Sequence, residues 1–230
     1  MSNVPPAARF GVNYHAFDQV AEFRSGDGDF DENLWEKSGL FEGDIMFYDQ
    51  DVKNGVIDKA LRWERATIPF YIAESHFNDN EIKTILSAIK EFHLKSCLRF
   101  KPYRVEDANW VVVTGNETGC WSSVGMIGEG GQQLNVNSPK CVRKGVVMHE
   151  FLHAAGFYHQ QSATDRDDFV KILWENISPG KESNFQKYDA SQVTDFNTTY
   201  DYESIMHYSG KAFSKNGNFT IQNFVEFFNE

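Results

Sequence analysis

A chain of 230 residues with 15% aromatic residues is long enough for one folded domain carrying an extension, and too short for two ordinary domains. Its formal net charge of −11 argues against nucleic acid as a partner, because phosphate repels a protein this acidic unless it has a segregated basic face, and none is visible. No run approaches the roughly 18 to 20 apolar residues that span a bilayer, so no membrane span is expected.

The first fifty-odd residues run acidic and Gly-rich, with scattered aromatics and no sustained period, and read as an extended segment lying on something else. The first twenty lack the basic start and apolar run of a secretory signal. Residues 66–73 alternate like a strand, with Pro69 suggesting an edge position. After Asn78, apolar residues Ile82, Ile85, Leu86, Ile89 and Phe92 recur at helical spacing and predict a long amphipathic helix to about Ser96. Strands are expected at Leu98 to Tyr103 and Trp110 to Thr114, then a Gly-rich stretch from Cys120 to Gly131, then a strand at Gln132 to Val136. A helix follows from about Val142 to Ala155, and beyond it Ser178 and Pro179 read as the cap and first residue of a short helix. Three cysteines, Cys97, Cys120 and Cys141, allow at most one intrachain bridge. Sequons begin at Asn116, Asn176, Asn197 and Asn218, compatible with a glycosylated, secreted protein.

The chemistry lies in VMHEFLHAAGFYHQ, which fits H-E-x-x-H-x-x-G-x-x-H at His149, Glu150, His153, Gly156 and His159. A four-residue step on a helix puts His149 and His153 on one face, able to offer two imidazole nitrogens to one metal. Glu150 lies about 100° round the helix, near enough to address a metal-bound water without binding the metal. Gly156 lets the chain turn sharply and return His159 to the metal. Three neutral imidazoles and one open position suit catalytic zinc: the ion lowers the pKa of its water towards about 7, and Glu150 serves as general base in peptide hydrolysis. Any single histidine is more often a satisfied surface or core residue. Five specified positions matching by accident is on the order of one in a hundred thousand.

This extended motif resembles that of the metzincin metalloproteases, and the residues around it are similar to the astacin family. QQSATDRDDFV after His159 resembles a family element at Asp165, Arg166 and Asp167, and SIMHY at Ser204 to Tyr208 resembles the Met-turn. Arg62 and Trp63, the Cys97 segment, GCWSSVG and KCVRKG extend the resemblance over most of residues 54 to about 214. It implies an α+β fold: an upper half with a twisted sheet, a long helix and the zinc helix, a lower half with little regular structure, and substrate pairing with an edge strand near Gln132 to Val136. It further implies Met206 as an apolar floor beneath zinc, and Tyr208 as a mobile fifth ligand whose hydroxyl stabilises the oxyanion. A Cys120 to Cys141 bridge is also implied, with Cys97 lacking its usual partner.

Phe41-Glu42-Gly43-Asp44 resembles the F-x-G-D element of the family's propeptides, in which the aspartate ligates zinc in place of water. The resemblance thus divides the chain into an inhibitory propeptide, 1–53, and a catalytic domain, 54–230, with a trypsin-like protease cutting near Lys53-Asn54. Gln160 stands where the family commonly has Glu, and Ala163 where Arg is usual; only 22 residues follow Tyr208. Lys211 or Lys215 is a candidate counter-charge for acidic residues in a protein or peptide substrate. Two alternatives stand beside the protease: a truncated or latent homologue that keeps zinc and binds peptides without cutting them, and a structural zinc protein. The second would need four protein ligands, often cysteines, and no cysteine lies near the motif.

Overall fold

The computed structural model describes residues 33–47, 59–194, 196 and 198–224. The cleavage point expected near Lys53 and the sequon at Asn197 lie outside them.

Nine regular elements follow in chain order among the described residues: β1 (Thr67–Ile72), α1 (Asp79–Lys95), β2 (Arg99–Pro102), β3 (Trp110–Thr114), β4 (Cys120–Ser122), β5 (Gly131–Val136), α2 (Lys144–Ala155), β6 (Val170–Ile172) and β7 (Ile221–Asn223). The helix α1 starts where the sequence places it, because Asn78 accepts from the N–H groups of Asn80 and Glu81 while Glu81 accepts from the N–H of Asn78. Five strands form one sheet in the order β2-β1-β3-β5-β4, parallel except where β4 runs antiparallel to β5. Helices α1 and α2 pack together against it over a core of Ile68, Ile85, Val111, Val113, Leu134, Val147 and Phe151, all fully buried. The Phe151 ring meets the edges of Phe92 and Phe100, and Lys144 at the start of α2 pairs with Glu91 of α1 at 2.8 Å.

Past α2 the chain forms a smaller cluster around the β6–β7 pair, in which Ile177, Phe185, Tyr200, Tyr208 and Ile221 are buried. Arg166 is buried there too, its guanidinium donating to the carbonyls of Gln161 and Phe185 and to the Asp167 carboxylate. Among the described residues, the rest of this half is short 3-10 helices as far as Phe185 and then turns and irregular chain, in line with the little regular structure that the resemblance implies. Cys120 and Cys141 are bridged, tying β4 to the approach to α2, while Cys97 is free and exposed. No helix among the described residues is long and apolar enough to cross a membrane.

Four expectations change. Strand β1 is interior, not an edge: Phe70 accepts from the Tyr103 N–H on the β2 side, and Ala73 donates to Val113 on the β3 side, so alternation turns the Pro69 nitrogen toward β3. Pairing with β3 begins only at Phe70, so the missing N–H falls just beyond the end of that ladder. The Gln132 to Val136 strand is also interior, flanked by β3 and β4. The edge is β4, which sequence reading left inside a Gly-rich stretch because three residues carry no measurable period. Ser178 and Pro179 begin a turn rather than a helix: Lys181 N–H donates to the Ser178 carbonyl at 3.0 Å, with Gly180 at φ +81° in the position that favours glycine.

Candidate metal centre

Helix α2 faces the sheet with Val147, Phe151 and Ala154 and the cleft with His149, Glu150 and His153, all buried. It ends at Gly156, φ +112°, whose N–H donates to the His153 carbonyl while the Phe157 N–H donates to that of Leu152. This reversal points the Phe157 carbonyl at His153 Nδ1, 2.7 Å away, and returns His159 to the centre. Trp63 fixes the same end of the helix, donating Nε1–H to the Ala154 carbonyl at 2.6 Å. His149 donates Nδ1–H to the Ile205 carbonyl, 2.6 Å away, and the buried Met206 lies next in the chain, its carbonyl accepting from Gln160 N–H.

With each Nδ1 engaged, the Nε2 lone pairs of His149, His153 and His159 converge, and Asp44 of the N-terminal segment completes the set. Asp44 Oδ2 lies 2.9 Å from His149 Nε2 and 3.4 Å from His159 Nε2, Asp44 Oδ1 lies 3.4 Å from His153 Nε2, and the Nε2 atoms of His149 and His153 are 3.1 Å apart. Those separations are close to the ~3.3 Å edge of a tetrahedron with bonds of about 2 Å, the size zinc requires. Asp44 Oδ1 and His159 Nε2 have no hydrogen-bond partner although both are buried, which also fits a shared cation. The four residues form a candidate zinc site.

Residues 33–47 cross the cleft along the β4 edge. Ser122 N–H donates to the Asp44 carbonyl at 3.0 Å and Met46 N–H to the Ser122 carbonyl at 2.9 Å, a parallel pairing, and Ser38 bonds Cys120 through both its hydroxyl roles. Trp35 stacks on the His149 ring at 4.2 Å. Gly43, at φ +89° in the region that favours glycine, leaves only a tight fit for a Cβ, which would sit 3.0 Å from the Glu36 backbone. Tyr208 is buried, its ring 4.8 Å from that of His159, and its hydroxyl donates to the Glu42 carbonyl at 2.7 Å.

Burial works to raise the Asp44 carboxyl, but positive charge on the His159 and His153 rings, and then bonds from His149 and His153, outweigh it and hold the group well below the ordinary range; a cation held by the Nε2 lone pairs of neutral rings would act in the same direction. Glu150 behaves oppositely: burial first, and then the Asp44 charge, keep its carboxyl well above the ordinary range, and neither oxygen has a partner. Glu36 is buried against Ser209, whose N–H and hydroxyl both donate to it, and burial raises its pKa to about 7. Glu36 and Glu42 escaped sequence reasoning as functional positions. Nothing marks a buried Glu in an acidic segment, although Glu42 stands in the variable position of F-x-G-D. The carbonyls of Ile205 and Phe157 leave no signal in residue identity. Lys211 holds its ammonium over the Phe219 ring at 5.6 Å.

A mixed sheet backed by a helix that presents two histidines, with a third beyond a glycine turn, defines a zinc-peptidase type of α+β domain. The family model described as Astacin, a peptidase family, matches residues 55–229, and the chain belongs to the astacin family. It is 44% identical over 200 residues to "Meprin A subunit beta" of Mus musculus, covering 85% of this chain and 28% of that protein. It is 40% identical over 170 residues to "Zinc metalloproteinase nas-13" of Caenorhabditis elegans, covering 74% and 37%. The solved structure of High choriolytic enzyme 1, a hatching enzyme zinc-protease from Oryzias latipes, is similar with a TM-score of 0.67 and 37% identity over 74% of this chain and 84% of that one. The chain thus spans well under half the length of these curated relatives.

Proposed function

We propose that the chain is a secreted zinc endopeptidase whose catalytic domain, 54–230, is kept silent by residues 1–53 until a trypsin-like protease cuts near Lys53. The observation that carries this reading is the convergence of three imidazoles with an aspartate supplied by a segment outside the family match. Bound zinc would supply Lewis acidity toward a water and a peptide carbonyl in the position Asp44 occupies here.

The protein's own groups divide the remaining work. Glu150 takes the proton of the attacking water and passes it to the leaving amine, a role open to it because it is buried beside His149 and neither of its oxygens has another partner. Departure of the segment frees the Tyr208 hydroxyl from the Glu42 carbonyl, and that phenol then donates to the oxyanion of the tetrahedral intermediate. The β4 edge, with its Ser122 N–H and carbonyl released, pairs with the backbone of a protein or peptide substrate. Met206 and Gly156 support the centre by packing and by the turn.

The test compares zinc-loaded protein before and after trypsin on a quenched peptide, with and without chelator. Hydrolysis that requires the cut and disappears with chelator is expected. A cut protein that holds zinc and binds the peptide without hydrolysing it would instead establish the latent peptide-binding alternative.

A further inference from the structure

The three imidazoles differ in what supports their outer nitrogens. His149 and His153 lean on the carbonyls of Ile205 and Phe157, which stay with the domain. His159 Nδ1 lies instead 2.8 Å from the carboxylate of Glu42, a residue of the N-terminal segment. Glu42 is 1% exposed, and each of its polar atoms is engaged. Its other oxygen accepts from the Tyr188 hydroxyl at 2.8 Å and from Ser162 Oγ at 3.3 Å, its N–H donates to Asn184 Oδ1 at 3.2 Å, and its carbonyl accepts from Tyr208. Its backbone sits at φ +46°, a conformation that costs a residue with a Cβ on the order of 1 kcal/mol and persists only where the surroundings fix it. A carboxylate on the outer nitrogen of a metal-binding histidine fixes the tautomer and the ring, and makes the imidazole a stronger donor.

We propose that Glu42 is a positioning residue of the metal centre: it completes a carboxylate–histidine–metal triad on His159 only while the segment is docked, and so adds to the Asp44 ligand in making the uncut chain grip zinc more tightly than the cut one. The proposal rests on the reading of the segment as removable. Its test is independent of peptide hydrolysis, because it reads metal retention and metal spectra of the uncut chain.

Release of zinc to an excess of chelator is followed for uncut wild type, Glu42→Gln, Glu42→Ala and Ser38→Ala, and visible absorption is recorded for the cobalt-substituted forms. Ser38→Ala loosens the segment at Cys120 without touching His159, and Gln keeps the size of Glu42 and one acceptor oxygen but not the charge. Release is expected to quicken about 10- to 100-fold in Glu42→Ala, with Gln between it and wild type. The cobalt bands move in both Glu42 variants and stay put in Ser38→Ala. After the cut near Lys53, the Glu42 variants and wild type consist of the same residues and release zinc at one rate, faster than uncut wild type. Zinc release from both uncut Glu42 variants as slow as from wild type would overturn the proposal. So would cobalt spectra that coincide in all four proteins, since Glu42 would then act only by holding the segment down.

Discussion

Docking of the 33–47 segment should weaken as pH rises, and Glu36 is the group that makes it do so. Docked, Glu36 accepts from Asn33, Ser209 N–H and Ser209 Oγ, but burial outweighs those bonds and raises its pKa from 4.5 to about 7. Released into water, it returns to an ordinary carboxyl. The docked state therefore binds more protons than the released state between pH 4.5 and 7, so the contribution of Glu36 to docking is greatest below 4.5 and is lost as pH climbs through that window. From pH 5 to pH 8 the two values imply a fall of roughly 70-fold in the docking constant, or ~2.5 kcal/mol. Glu36→Gln removes the titration while fitting the same partners, since an amide oxygen accepts from Asn33 and Ser209 N–H, and its NH₂ donates to Ser209 Oγ. Hydrogen exchange of Met46 N–H, bonded to Ser122 across the β4 edge, reports docking directly. Corrected for intrinsic exchange, protection in zinc-loaded uncut wild type should decline with pH by this extra factor relative to the Gln variant. Parallel profiles in the two proteins would refute the assignment.

Glu150→Ala should retain zinc, since the carboxylate is not among the four converging donors, and lose hydrolysis by at least about 10²- to 10⁴-fold; equal turnover would remove Glu150 as the base. Tyr208→Phe in the cut protein should leave KM close to wild type and lower kcat by roughly 10²-fold, as expected for a donor engaged only in the transition state. Replacing Cys120 and Cys141 by Ser opens a loop with a sequence separation of 21 residues, for which chain entropy gives a loss of about 3 kcal/mol in denaturant unfolding.

Much of this site was legible because its chemistry is local. Two ligands one helical turn apart, a base beside the first and a glycine three residues after the second are all set by the rise and twist of one helix, so spacing alone identifies His149, Glu150, His153 and Gly156. Long elements were equally readable: α1 declares itself by the helical period of Ile82, Ile85, Leu86, Ile89 and Phe92 after Asn78. Strand order was not, because neighbours in a sheet are chosen by packing across distant segments, and both Pro69 and the β5 strand were assigned to edges they do not occupy. The missed parts of the site are likewise contacts made at long range. Asp44 could be picked out through its motif, but Glu42 reaches His159 across 117 positions and Glu36 reaches Ser209 across 173. No periodicity encodes such meetings.

The central claim is that one zinc ion is shared by His149, His153 and His159 together with Asp44. Anomalous diffraction from crystals of the uncut chain at the zinc edge tests it most directly. A single peak about 2.0–2.2 Å from the three Nε2 atoms and from an Asp44 oxygen is the predicted result. A peak held by other residues, or imidazoles whose Nε2 atoms share no such point, would contradict it.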